Sequence, residues 1–126
     1  MDAALRAEAK KLREMGSESA ASHLIEHWPK SHRPTFILIQ HISWKVADQM
    51  RLAEHFLPKK PFAAAFPYEA FASFMSAQNF LAAIDRVWPE DRSERDLLMY
   101  HLGPTLDKYS ADANEPLVQA FIDSHR

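Results

Sequence analysis

The chain has 126 residues, 47% of them hydrophobic, and a formal charge of −2, which excludes an intrinsically disordered segment and fits one domain with a real core. It has no cysteine, so disulfides, thiolate metal sites and cysteine nucleophiles are excluded, and its two glycines, Gly16 and Gly103, stand too far apart for a P-loop, a dinucleotide fingerprint or a hydrolase elbow. Eight prolines beside so little glycine fit helices punctuated by proline. The expectation is therefore an all-α single domain over 1–126, an orthogonal bundle or short α-solenoid of about five to seven helices.

In chain order, 2–15 reads as a first helix of strong helix formers, with Leu5, Ala9, Leu12 and Met15 as a narrow apolar stripe and Gly16 as its left-handed stop. Ser17 or Ser19 caps a second helix to about His27, with Ala20, Ala21, Leu24 and Trp28 on its buried side. Pro29 and Pro34 frame a loop. Thr35 then caps the longest predicted element, 36–57, in which Ile39, Ile42, Val46, Met50, Ala53 and Leu57 keep a helical period.

Pro58-Lys59-Lys60-Pro61 stops that helix, and 62–67 is a connector. Helical signal returns from Tyr68 to Val87, with a break near Ser76. Ser93 with Asp96 resembles a capping box opening a helix over 94–109, which Gly103-Pro104 either ends or kinks. Asn114 caps a last helix with Pro116 early in it and Leu117, Val118, Phe121 and Ile122 as its core face. At an offset of sixty positions, Leu24 meets Ile84, Trp28-Pro29 meets Trp88-Pro89, and Leu38, His41 and Ile42 meet Leu98, His101 and Leu102. This suggests two related helical hairpins with the two tryptophans as wedges at helix ends.

His23-Leu24-Ile25-Glu26-His27 is a literal H-x-x-E-H. In the inverted zinc metallopeptidases that motif supplies two zinc ligands from one helix face and a glutamate general base. Here the supporting context is missing, because no glutamate stands near Leu102, where a third ligand would be expected. His23 and His27 therefore read as a candidate metal pair rather than a catalytic centre. No Glu-x-x-His occurs for a bridged di-metal site, and no cofactor is implied.

The remaining feature is aromatic clustering. Phe62, Phe66 and Tyr68 lie in or beside the proline-framed connector, next to Lys59 and Lys60, and make a candidate protein-binding patch. Charge is unevenly spread: residues 1–60 sum to +3 and 61–126 to −5. Glu90, Asp91, Glu94 and Asp96 would steer a basic partner. No dense basic face argues for nucleic acid, and no apolar run is long enough to span a membrane. The N-terminal stretch lacks the apolar core of a secretory signal. The expectation is a cytoplasmic, non-enzymatic protein that binds another protein by occluding its surface, as an adaptor, regulator or toxin-neutralising (immunity-type) partner. The alternative is a metal-binding protein or metal-dependent hydrolase built on His23, Glu26 and His27.

Overall fold

The computed structural model describes residues 2–30, 32–57 and 64–125. These form eight α-helices and, among the described residues, no strand: α1 (Ala3–Met15), α2 (Ser17–His27), α3 (Arg33–Gln40), α4 (Val46–Phe56), α5 (Phe66–Ala72), α6 (Ala77–Arg86), α7 (Arg92–Tyr109) and α8 (Glu115–Ser124).

The packing follows a simple rule. Helix α1 packs on α3, α2 on α4, α3 on α5, α4 on α6, α5 on α7 and α6 on α8. Odd-numbered helices thus form one row and even-numbered helices a second, with the rows tied by α1·α2, α5·α6 and α7·α8. This is the layered ladder of a short helical solenoid, in which each helix buries its stripe mainly against near neighbours. Displaced by sixty residues, α1 falls on α5, α2 on α6 and α3 on the first half of α7. The pairings α1·α2 and α1·α3 recur as α5·α6 and α5·α7, whereas α4 displaced by sixty falls across the end of α7 and the turn before α8, so the correspondence stops there.

The core runs between the rows. Leu12, Leu24, Leu38, Ile39, Leu52, Phe56, Tyr68, Phe71, Phe80, Ile84, Leu98 and Leu102 are fully buried. Phe36 meets Phe56 and Phe71 edge-on at centroid distances of 6.5 and 6.3 Å, joining α3, α4 and α5. Such aromatic edges add to the ~1.5–3 kcal/mol that burial of each side chain contributes. At the C-terminal end Trp88 meets Phe121 at 5.6 Å and stacks on His125 at 3.8 Å, and His125 Nε2 lies 2.5 Å from Asp85 Oδ1. Trp28 is half-buried against the core, so both tryptophans are wedges at helix ends.

Several expected boundaries move. The single helix over 36–57 is two helices, with a break at 41–45 that contains neither proline nor glycine. Side chains hold the break. Trp44 Nε1–H donates to the Ile39 carbonyl at 2.9 Å, and the Gln49 amide donates to the Trp44 carbonyl at 3.1 Å. Arg13 donates to the His41 carbonyl at 3.0 and 3.2 Å, tying α1 to the same turn. Thr35 does not cap α3; it lies inside, buried, and its hydroxyl donates to the Pro29 carbonyl at 3.0 Å.

Gly16 links α1 and α2 alone, at φ +83 and ψ 162. Ser17 does not cap α2. Its hydroxyl donates to Asp48 at 2.6 Å and accepts from the Lys45 amide at 2.9 Å. Arg51 bridges Asp48 at 3.1 Å and the Ser22 hydroxyl at 2.8 Å. This network locks the start of α4 onto α2.

Helix α7 opens on Asp91, not Ser93: the Asp91 carboxylate accepts from the Glu94 amide at 3.1 Å and from the Ser93 hydroxyl. These bonds, first the Ser93 hydroxyl and then the backbone, lower the Asp91 pKa below the usual carboxylate value. The helix continues through Gly103-Pro104 to Tyr109. A residue before proline is crowded in helical geometry by its own Cβ, and Gly103 has none. Between α7 and α8 a kinked turn carries Ala113 at φ +69.

Candidate functional site

Of the aromatic patch expected beside the connector, Lys59, Lys60 and Phe62 lie outside the described residues. Tyr68 is fully buried in the core of α5 and cannot meet a partner on the surface. It stands three residues before Phe71, also fully buried, so the two share the inward face of that helix. Phe66 is half-buried and already covered by the Arg33 guanidinium, 4.2 Å above its ring. On α4, burial first and the Lys30 charge second push the His55 pKa down.

Glu90, Asp91 and Asp96 are exposed around the start of α7, and Glu94 is half-buried in its first turn. Two of these positions also serve the fold: Asp91 caps the helix, and the Glu90 carbonyl accepts from Arg95.

The same helix carries apolar surface that the sequence reading passed over. Tyr100 is 77% exposed and Leu97 40% exposed. With the exposed Pro104 they recur at i, i+3 and i+7, one face of α7. The inward face carries Leu98, Leu102, Thr105, Leu106 and Tyr109. Leu117, expected in the core of α8, is 43% exposed as well. Asp96 and Asp107, both exposed, lie along one side of the stripe, and the exposed Lys108 lies on the other. Helix α1, in the first rung of the ladder, presents Arg6, Lys10, Lys11, Arg13 and Glu14 outward instead.

His23 and His27 stand on one face of α2 with ring centroids 4.8 Å apart. Glu26 Oε2 lies 3.8 Å from His27 Nε2. Among the described residues no three His, Asp or Glu side chains gather into a metal-holding group. His41 is exposed in the break after α3 and His101 is half-buried in α7, so their equivalence in sequence does not give equivalent surroundings.

Two shallow cavities of about 330 and 340 Å³ adjoin between α5 and α7 and share Ala72, Ser73, Thr105 and Lys108. Tyr109 lines the second of them, its hydroxyl donating to the Met75 carbonyl at 2.9 Å. They are open clefts of mixed polarity, unlike the enclosed apolar pockets typical of small-molecule sites. No helix of the described residues is long and apolar enough to cross a membrane. Comparison with protein families, curated proteins and solved structures finds no match to this chain.

Proposed function

We propose that this protein works by binding another protein through the outer face of α7, with Leu97 and Tyr100 as the apolar contacts and the neighbouring acids as the rim. The observation that carries this reading is Tyr100, a large aromatic 77% exposed one turn from a second exposed apolar side chain. Scattered single exposed apolar residues are ordinary. An aromatic and a leucine sharing a face, bordered by Glu90, Asp91 and Asp96, have the anatomy of an interface hot spot with a polar rim. Excess negative charge there favours a basic partner and raises its encounter rate.

The mode of action is occlusion. A rigid helix face covers a patch of the partner, as an adaptor, a regulator or a toxin-neutralising protein would, in the cytoplasm. The role rests on analogy of size and class, whereas the surface rests on the side chains named.

The test is a Leu97→Ala/Tyr100→Ala double variant against a Lys10→Ala/Lys11→Ala control on exposed α1 positions. A partner co-purified from the native host and then measured with pure components should bind the double variant at least about thirtyfold more weakly, the loss of about 2 kcal/mol usual for an aromatic hot spot. The control should bind as the unsubstituted protein does. Both should unfold within about 0.5 kcal/mol of it, because the altered side chains are exposed. Unchanged affinity in the double variant would remove the α7 face from consideration.

A further inference from the structure

A second surface, independent of the α7 face, has a defined chemistry. The last turn of α2 presents His23 and His27 one helical turn apart, with ring centroids 4.8 Å apart and planes inclined at 48°. The buried Ala20 and Leu24 fix the rotation of the helix, which sets His23 at the margin of the buried stripe, and His27 reaches solvent as the last residue of the helix. His23 is half-buried and therefore restrained, whereas the His27 side chain is 61% exposed. Glu26 sets a carboxylate oxygen 3.8 Å from His27 Nε2.

We propose that His23 and His27 form a two-imidazole clamp for a borderline divalent cation of the Cu(II), Ni(II) or Zn(II) type, with water in the remaining positions. Imidazole nitrogen suits these ions and not Mg(II) or Ca(II), which take oxygen ligands. Side chains at i and i+4 reach a common point without any change in the helix. The Glu26 carboxylate adds negative charge beside the site, which favours a dication. Among the described residues no third ligand joins the pair, so the clamp differs from a closed structural zinc cage and from a three-ligand catalytic site.

The position gives the ion a structural consequence. His27 is the last residue of α2, and Trp28 and Pro29 follow, so no further turn shields the helix end. An ion held by both rings cross-links that turn and binds only the folded form, so it stabilises the chain by mass action.

The experiment uses untagged protein and the metal ions alone. Calorimetric titration should show one Cu(II) per chain, weaker Ni(II) and Zn(II), and no Mg(II) binding at the same concentrations. His23→Ala or His27→Ala should each weaken Cu(II) binding by about tenfold or more, because the second imidazole acts at high effective concentration. His32→Ala, at an exposed histidine outside the clamp, should leave it unchanged. The Cu(II) electron spin resonance spectrum should show two nitrogen ligands, and Zn(II) should raise the melting temperature of the parent but not of a His23→Ala/His27→Ala variant. Absence of binding, Cu(II) affinity in either single variant unchanged from the parent, or bound metal without a rise in melting temperature would overturn the proposal. None of these results depends on the α7 face.

Discussion

Single side chains carry heavy structural duty here, and Gly16 is the clearest case. At φ +83 and ψ 162 it occupies a backbone region that only glycine enters readily, and nothing lies within 4 Å of where its Cβ would be. Gly16→Ala should therefore cost about 1–3 kcal/mol through the backbone alone, measured by urea unfolding. A cost near zero would mean that the α1–α2 link readjusts. Glycine was expected to stop α1 here. The extended ψ was not legible, because it arises from α2 starting at the very next residue. Asp48 was not singled out at all. It is 4% exposed and tied to Ser17 and Arg51, but in sequence it is one more charge on a helix. Tyr109 offers a pH test. Burial raises its phenol pKa above the ordinary value near 10, so the folded state holds that proton more firmly than the unfolded chain. The contribution to stability is complete below about pH 10 and is lost as pH rises beyond it. Tyr109→Phe removes the titration and about 1 kcal/mol of hydrogen bonding. Urea midpoints at about pH 8 and about pH 11 should fall less in the variant than in the parent.

At the scale of elements, the most informative helix is α7, because it runs through a proline. Pro104 withdraws the amide that would pair with the Tyr100 carbonyl, yet the helix spans Arg92–Tyr109. Its inward residues Leu98, Leu102, Leu106 and Tyr109 are buried on both sides of the proline, and that packing outweighs the missing bond. Gly103 relieves the crowding that a Cβ would meet before proline. A double-mutant cycle isolates this coupling. In a Pro104→Ala background, Gly103→Ala should stabilise by about 1 kcal/mol, the helix-propensity difference. With Pro104 in place the same change should gain less or become destabilising. Equal effects in the two backgrounds would show that Gly103 has no role in accommodating the proline. The break between α3 and α4 teaches the opposite lesson. The apolar period of 36–57 is continuous, because Ile39, Ala53 and Leu57 do face the core on both sides of the break, as does Ile42 within it, although Val46, also part of the period, is 56% exposed. What ends α3 is tertiary: Arg13 from α1 and the Trp44 indole take backbone carbonyls. Such partners are far from the break in sequence or do not differ in type from helix residues, so the pattern gave no warning. The candidate surface was half legible for a similar reason. Charge marked the start of α7, but Tyr100 is exposed because of where the neighbouring helices lie, and periodicity alone assigns it no side.

At the scale of the molecule, the ladder of pairings governs how damage spreads. When helices pack chiefly on those two places along, stability is closer to a sum over rungs than to one indivisible core. The aromatic joint of α3, α4 and α5 works against this by binding three consecutive helices, so the middle should be the most cooperative region. The C-terminal end depends on fewer contacts: Phe121, 5% exposed, meets Trp88 and His125, and Asp85 faces His125 across α6 and α8. Phe121→Ala should cost about 3 kcal/mol locally. Under native conditions, amide exchange in α6 and α8 should accelerate by about a hundredfold, with smaller effects in α7 and none in α1 and α2. A uniform acceleration across all eight helices would show that the chain unfolds as one unit despite its layered pairing. The distinction bears on the proposed partner surface, because α7 presents Leu97 and Tyr100 rigidly only while its inner face stays docked on α5. A Phe121→Ala variant that frays α8 yet keeps partner affinity would place the holding force in α5·α7 packing, where Tyr109 bonds to the Ala72 and Met75 carbonyls.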